Sequence, residues 1–180
     1  NPSGQTAAGL NLAIAMSSYE ILCRIDGHSE ISSDYIKTAV EIMNKTGAVN
    51  VGGLMFADSK KGLQRTIAQA MRSKLGVGSS KFHTGGSAGE SETVYLGTFK
   101  KSAVVAAGGF DERYFLYYED VDLCLRAWKE GYKVILSLDV DVIHDARRSS
   151  HSDLVYMKWH LTSLLRFFIK HFGRFPNKVI

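Results

Sequence analysis

The chain has 180 residues, of which 45% are hydrophobic and 22% are charged, a composition that predicts one globular domain with a substantial apolar core. No stretch reaches the roughly 18 uncharged apolar residues that cross a bilayer, so the sequence excludes a membrane-embedded interior. The net charge of +4 comes from residues 146–180, which hold seven Lys or Arg and one Asp.

The two cysteines, Cys23 and Cys124, lie far apart in sequence and lack the close spacing of a metal site. One falls in a predicted strand and the other in a predicted helix, which are positions typical of reduced thiols in a core. We therefore expect a cytoplasmic protein without a disulfide bond.

The first predicted elements are a helix and a strand. Residues 3–17 are rich in Ala and Leu and predict the helix, and residues 19–25 are an apolar run of strand length. This order indicates a parallel α/β unit, in which ligands bind beyond the carboxyl ends of strands. Asp26-Gly27-His28 follows the strand. Because Asp-Gly is also a common turn dipeptide, these residues predict either a plain turn or a ligand site.

The next predicted helix is capped by Ser32 or Ser33 and ended by Gly47. Its apolar face consists of Ile36, Ala39, Val40 and Met43. The strand at residues 48–56 contains Gly52-Gly53, and glycines inside a strand indicate a bulge or a close backbone approach.

A helix at 61–74 is followed by Gly- and Ser-rich residues 76–91, which predict a long loop. His83 in this loop is expected to be a surface side chain. The short strand at 93–96 leads to Gly97 and a brief helix, and a glycine at this place would let a sugar lie against the backbone.

The stretch from Gly108 to Arg126 contains the most informative pattern. Glu119 and Asp120 begin a predicted helix whose apolar positions are Val121, Cys124, Leu125 and Trp128. Helix capping explains one of the two acids. The aromatic residues before them, Tyr114, Phe115, Tyr117 and Tyr118, would partly exclude water and raise a carboxylate pKa, as a general base requires.

Two strands are predicted after this helix, at 132–138 and 140–143, and the second ends at His144. A lone histidine is more often a packed or surface group than a ligand. Arg147 and Arg148 follow, and guanidinium groups in this position suit either a phosphate contact or a solvated basic turn.

The last predicted helix, residues 153–173, is apolar along one stripe and basic beside it. The stripe consists of Leu154, Met157, Leu161, Leu164, Leu165, Phe168 and Phe172. This pattern predicts either a helix docked on the sheet or an interfacial membrane helix that binds anionic lipid. The chain has no helix-turn-helix or RNA-binding motif, so we expect no nucleic-acid partner.

These residues resemble one family. The segment GGFDE, followed by ED and a helix, resembles the C-terminal signature of family-2 glycosyltransferases with the GT-A fold. RIDGHSEISSDYI and NVGG resemble the succinoglycan-type branch, whereas HDARRSSHSDLVYMKWHLTSLLRFF resembles the tail of rhamnosyltransferases. The resemblance implies an α/β GT-A fold with a mixed, mostly parallel sheet flanked by helices and incomplete at its N-terminus. Residues 1–150 would form the C-terminal part of the catalytic domain, and 151–180 a basic amphipathic helix.

The resemblance also implies a sugar transfer with inversion, and it assigns roles to particular residues. Asp120 would be the catalytic base, with Glu119 positioning it or the acceptor. The donor would be bound by Asp26, Gly97, Arg147 and Arg148, and a divalent ion, Mn²⁺ or Mg²⁺, by Asp26, His28 and His144. In the family the third residue of the strand-end motif is an Asp, and the histidine in its place suits Mn²⁺ or another transition ion better.

The implied donor is a UDP- or dTDP-hexose, and the implied acceptor is a saccharide or a polyprenyl-diphosphate-linked sugar. Such a protein would act in bacterial exopolysaccharide or cell-wall synthesis, peripheral to the inner face of the cytoplasmic membrane. Two alternatives stay open: a metal-dependent nucleotidyltransferase, and a catalytically incomplete fragment or binding module. The chain opens at Asn1 without a methionine, which favours a fragment.

Overall fold

The structure is a computed structural model that describes residues 3–58, 88–145 and 154–172. The helices in these ranges are α1 (Thr6–Met16), α2 (Tyr35–Thr46), α3 (Lys101–Ala106), α4 (Glu119–Lys129) and α5 (Leu154–His171). The strands are β1 (Ile21–Cys23), β2 (Ser29–Ile31), β3 (Asn50–Asp58), β4 (Gly89–Glu90), β5 (Tyr95–Lys100) and β6 (Val134–Asp145). The predicted helix at 61–74 and the residues His83, Arg147 and Arg148 lie outside the described ranges.

The strands form one mixed sheet. They are hydrogen-bonded in the order β1-β5-β3-β6-β2, and β4 also pairs with β6. β3 and β6 run parallel, whereas β2 and β4 are antiparallel to β6, and β5 is antiparallel to β3. The mixed α/β prediction is confirmed, but these pairings in the described part of the sheet are less parallel than expected. The short strands β2 and β4 have no periodicity that could have predicted them.

β6 is a single strand, so the prediction of two strands at 132–138 and 140–143 is wrong. Gly52 of β3 pairs with Leu136, and Leu54 pairs with Asp141, so the ladder skips four residues of β6 and then resumes. The predicted division between the two strands, after Leu138, falls inside this skipped segment. Because β3 pairs with β6 on both sides of the skipped residues, β6 continues as one strand.

Gly53 is the residue of β3 that lies at this break. A Cβ at Gly53 would overlap the backbone carbonyl of Val140. Only glycine permits two backbones to approach this closely, so the predicted bulge and close approach are confirmed.

The chain divides into two compact units. The first contains residues 1–22, 100–132 and 147–180, and the second contains residues 23–99 and 133–146. Helix α5 belongs to the same unit as α1, α3 and α4. The division into residues 1–150 and 151–180 stays a prediction. The core of the first unit includes Tyr114, Leu125 and Phe167, and that of the second includes Tyr35, Leu96, Val140 and Val142.

The residues around α2 correct two details. Asp34 is the N-cap in place of the predicted serines. Tyr35 is fully buried and its hydroxyl donates to the Leu96 carbonyl oxygen at 2.7 Å, whereas the predicted core residue Ile36 is 45% exposed. An aromatic ring with a hydrogen-bond partner therefore takes the core position. Gly47 ends the helix with φ +74°, as predicted.

Helix α5 does not bury its apolar stripe. Leu154, Met157, Leu161, Leu165, Phe168 and Phe172 are between 43% and 83% exposed. The buried residues of α5 are Ser163, Phe167 and His171. Within the first unit, α5 therefore packs through the face opposite this stripe. Within the described ranges, no helix has the length and apolar character needed to span a membrane.

Replacing Gly53 is expected to destabilise the second unit. In Gly53→Ala the new methyl group meets a main-chain carbonyl, which cannot rotate away as a side chain does. We expect the free energy of unfolding in urea to fall by about 1–3 kcal/mol. Gly27→Ala is the matched control, since a Cβ there meets nothing within 4 Å. Equal stability of the two variants would contradict the close approach.

Candidate functional site

The candidate site begins with the loop that leads into α4. We call residues 107–118 the signature loop. Gly108 and Gly109 have φ values of +84° and +71°, the left-handed region that glycine adopts without strain. Arg126 of α4 donates hydrogen bonds to the carbonyl oxygens of Ala107 and Gly109, the latter at 2.7 Å. The two glycines therefore allow a turn that a helix residue clamps.

Asn11 of α1 holds the same loop from another side. Its Oδ1 accepts the Phe110 N–H at 2.8 Å, and its Nδ2 donates to the Phe110 carbonyl oxygen at 2.9 Å. A Cβ at Gly109 would lie 2.9 Å from the Asn11 Oδ1. The GGF sequence is thus explained by contacts within the first unit.

The loop ends in a strained corner. Tyr117 and Tyr118 both have φ +67°, a backbone angle that residues other than glycine rarely adopt. Each such residue costs about 1–3 kcal/mol unless the surroundings hold it. Tyr118 is the N-cap of α4 and makes no side-chain capping bond. The corner fixes the direction in which the first turn of α4 leaves the loop.

The two predicted acids lie in that first turn, so the predicted helix start is confirmed. Glu119 is 3% exposed and Asp120 is half-buried. The Asp120 Oδ1 accepts the Val121 N–H at 2.8 Å, a contact that the helix N-terminus favours. Burial, and secondarily the charge of Asp120, raise the pKa of Tyr118. The phenol therefore stays protonated near the carboxylate.

Asp122 is an important residue that the sequence reasoning missed. It is fully buried, and its carboxylate accepts from Lys170 at 2.6 Å, His171 Nε2 at 2.8 Å and Arg126 Nε at 2.8 Å. Burial by itself raises the pKa of Asp122, but the bonds from Lys170 and His171 and the charge of Arg126 outweigh it and lower the pKa. The i,i+4 pair with Arg126 is readable in the sequence, whereas the partners on α5 are not.

His171 is held between an acceptor and a donor. Its Nε2 lies 2.8 Å from Asp122, and its Nδ1 lies 3.0 Å from the Lys129 Nζ. A neutral imidazole that donates from Nε2 and accepts at Nδ1 satisfies both contacts. Burial lowers the pKa of His171, Asp122 opposes the shift, and Lys129 and Lys170 add to it.

Four of the predicted donor and metal residues, Asp26, His28, Gly97 and His144, belong to the second unit. Asp26 is in a turn, with its carbonyl oxygen accepting the Ser29 N–H at 3.0 Å and its Oδ1 lying 3.2 Å from Arg24 Nε. The turn interpretation is thus correct for the backbone. β2 follows at once, and Ser29 is paired in register with His144 of β6. The backbone therefore places the Asp26-Gly27-His28 turn next to His144.

The described residues fit a metal site only in part. A carboxylate and two imidazoles are a reasonable donor set for Mn²⁺, and the register brings the segments that carry them together. Within the ranges described, no three His, Cys, Asp or Glu side chains are grouped to hold an ion. The side chain of His144 lies outside what the structure describes.

Gly97 lies inside β5, and the structure gives it a packing role. A Cβ at this position would collide with the Asn50 side chain of the neighbouring strand β3. The absence of a side chain at Gly97 is thus explained without a ligand, and its role in donor binding stays a prediction.

Sequence comparison identifies relatives of the chain. It is 32% identical over 149 residues to the succinoglycan biosynthesis protein ExoA of Rhizobium meliloti (strain 1021), covering 82% of this chain and 45% of that protein. The chain belongs to the family-2 glycosyltransferases with the GT-A fold. No protein-family model matches it.

Two further relatives of this glycosyltransferase chain match shorter segments. The N-acetylglucosaminyl-diphospho-decaprenol L-rhamnosyltransferase of Mycobacterium tuberculosis (strain ATCC 25618 / H37Rv) is 43% identical over 54 residues, covering 30% of this chain and 18% of that protein. Rhamnosyltransferase WbbL of Escherichia coli (strain K12) is 37% identical over 67 residues, covering 37% of this chain and 25% of that protein. The chain therefore spans less than half the length of each of these curated relatives.

Solved structures share the fold. TarS 1-349 of S. aureus has a TM-score of 0.59 at 14% identity, covering 96% of this chain and 52% of that one. GalNAc-T7 with UDP, GalNAc and Mn²⁺ has a TM-score of 0.57 at 12% identity, covering 78% of this chain and 30% of that one. At these identities the similarity confirms the predicted fold and carries no further conclusion.

Acid is expected to destabilise the first unit through His171. Folding lowers its pKa, so its contribution to stability is present above the unfolded pKa of about 6.5 and is lost as the pH falls below that value. The lowered pKa of Asp122 acts later, below an unfolded value of about 3.9. Urea unfolding at about pH 7.5 and about pH 5.5 measures the first effect without the second.

His171→Gln is the control for this prediction. Glutamine keeps an N–H group for Asp122 but does not titrate, so its stability should fall less between the two pH values. An equal fall in the wild type and in His171→Gln would mean that another group is responsible.

Proposed function

We propose that the protein transfers a sugar, with inversion, from a nucleotide-diphosphate donor to a hydroxyl group of a growing, lipid-linked cell-surface polysaccharide. The observation that carries the proposal is the position of Asp120, a half-buried carboxylate behind a corner of two tyrosines in the left-handed conformation. Backbone strain of this kind is typical of sites where the direction of a side chain matters. The family membership supplies the reaction class.

Asp120 is the proposed general base. It accepts the proton of the acceptor hydroxyl while that oxygen attacks the anomeric carbon of the donor, and a single displacement inverts this carbon. Glu119, which is buried beside it, positions Asp120 or the acceptor. Because Tyr118 stays protonated, it carries no negative charge that would repel the departing diphosphate.

The donor is a UDP- or dTDP-hexose in this proposal. A divalent ion held by Asp26, His28 and His144 would neutralise charge on the diphosphate leaving group. The pairing of Ser29 with His144 supports this assignment, because it sets the two segments that carry the three proposed ligands side by side. The structure of GalNAc-T7 with UDP and Mn²⁺ supports Mn²⁺ as the first metal to try. Arg147, Arg148 and Gly97 are the further proposed donor contacts.

The acceptor is proposed to lie at a membrane surface. The outward face of α5, which carries exposed residues such as Leu165 and Phe168, is apolar, and no acidic residue occurs in the first turn of the helix. Lys158 is exposed on the same helix, and a basic residue near an anionic surface adds about 1 kcal/mol to binding. The relative named for a diphospho-decaprenol substrate supports a lipid-linked acceptor. We therefore place the protein peripherally, at the inner face of the cytoplasmic membrane.

Asp120→Asn is expected to lower turnover by roughly 10²–10⁴-fold with little loss of donor binding, because the amide keeps the size of the side chain but accepts no proton. Asp26→Ala should show the opposite pattern and lose Mn²⁺-dependent binding of UDP and dTDP. Turnover is measured on the natural full-length protein, with UDP- and dTDP-sugars and an N-acetylglucosaminyl-diphosphate lipid as probes. Donor binding is measured by calorimetry.

The matched control is Glu130→Gln, an exposed acid just after α4, which should leave both quantities unchanged. Equal loss of binding and turnover in Asp120→Asn would make Asp120 a structural residue. Release of pyrophosphate in place of a nucleoside diphosphate would identify a nucleotidyltransferase and contradict the proposal.

Membrane contact is tested on the outward face of α5. The double variant Leu165→Gln, Phe168→Gln is expected to bind phosphatidylglycerol vesicles at least tenfold more weakly in co-sedimentation, since each buried apolar side chain contributes about 1.5–3 kcal/mol. Met16→Gln, at a residue of α1 that is 77% exposed, is the control. Vesicle binding that is unaffected by the double variant, or a dimer that it dissociates, would assign this face to another partner.

A further inference from the structure

The inner face of α5 contacts the signature loop through aromatic rings at its first turns. The ring of Trp159 lies 4.5 Å from that of Phe115, measured between centroids. The ring of His160 lies 5.2 Å from Tyr117 and 5.5 Å from Tyr118 in edge-on geometry. The two residues of the strained corner therefore share His160 as a partner on α5, and Tyr118 also lies 5.7 Å from the ring of Phe167.

Polar contacts continue along the next turns. Ser163 Oγ donates to the Leu116 carbonyl oxygen at 2.8 Å, and Arg166 donates to the Arg113 carbonyl oxygen. Lys170 lies 2.7 Å from the Asp111 carboxylate and 2.6 Å from the Asp122 carboxylate. From Trp159 onward, successive turns of α5 thus contact the loop or α4.

These contacts explain how the left-handed corner persists. Tyr118 makes no side-chain capping bond, so a cap of α4 does not hold it in the left-handed conformation. Strained residues persist where surrounding contacts over-determine them. Ser163 fixes the backbone just before the corner, and Asp122 fixes the helix just after it. Asp120 lies between these two anchors.

We propose that Asp122 and Ser163 are positioning residues that set the direction of Asp120, so that two contacts made by α5 support the proposed base. The inference rests on the proposed role of Asp120 as the base. Asp122 acts through Lys170 and His171 of α5, and Ser163 acts through the Leu116 carbonyl. Neither side chain needs to touch a substrate.

The test uses Asp122→Asn and Ser163→Ala in the natural full-length protein. Asp122→Asn should lower kcat by about 10- to 100-fold and Ser163→Ala by about 3- to 10-fold, with the KM for the donor nearly unchanged. Thr162→Ala is the matched control, because the Thr162 hydroxyl donates at 2.7 Å to the Lys158 carbonyl of its own helix. Ser163→Ala removes one oxygen, so it keeps the test valid if Asp122→Asn does not fold.

The decisive comparison is the Asp120→Asn background. A residue that acts through Asp120 has no further effect once Asp120 cannot accept a proton, so each double variant should turn over as slowly as Asp120→Asn alone. A general loss of folded protein would instead lower turnover by the same factor in both backgrounds, and this result would overturn the proposal.

A measurement without substrate completes the test. Hydrogen exchange of the backbone amides of residues 114–124 should be faster in Ser163→Ala than in the wild type, and unchanged in Thr162→Ala. Unchanged exchange in Ser163→Ala would contradict the positioning role. If Asp120→Asn keeps full turnover, the proposed base fails. If Asp120→Asn is inactive while both positioning variants are fully active, the positioning role alone fails.

Discussion

A completely buried carboxylate must be matched by cations, and the first unit of this protein is arranged around that requirement at Asp122. Its partners come from its own helix, through Arg126, and from the end of α5, through Lys170 and His171. Removing one partner of such a group leaves a buried charge uncompensated, which costs about 3–5 kcal/mol in comparable cases. Since Arg126 also binds the carbonyl oxygens of the signature loop, the same ion cluster connects that loop, α4 and α5.

Helix α5 reverses the usual arrangement of an amphipathic helix. Its inner face carries Lys170 and His171 together with the buried ring of Phe167, whereas most of its other large apolar residues are exposed. The acids beneath the helix explain this arrangement, because Lys170 adds a cation to those that Arg113 and Arg126 supply to Asp111 and Asp122. The outward face is consequently available for a hydrophobic partner, and the proposed membrane surface is one that the basic residues of the helix also favour.

Glycines in this chain have structural reasons that do not require a ligand. Gly53 permits contact with the β6 backbone, Gly97 makes room for the Asn50 side chain, and Gly109 lies against Asn11. Glycine-rich motifs in glycosyltransferases are easily interpreted as sugar contacts. Here the packing accounts for these three residues, and the proposed chemistry instead depends on acids and histidines at the ends of strands and at the start of α4.

The sequence by itself determined the local features: the start of α4 at Glu119-Asp120, the end of α2 at Gly47, the bulge at Gly53 and, through resemblance, the family. Each depends on periodicity, on glycine conformation or on a motif within one segment. Only the tertiary structure decided that Asp122 is buried and that α5 packs through the face that carries Phe167, Lys170 and His171. His171 lies 49 residues from Asp122 and Lys170 lies 59 residues from Asp111. Pairing between groups so far apart cannot be read from hydrophobic periodicity, because periodicity describes one segment and not the partners that folding brings to it.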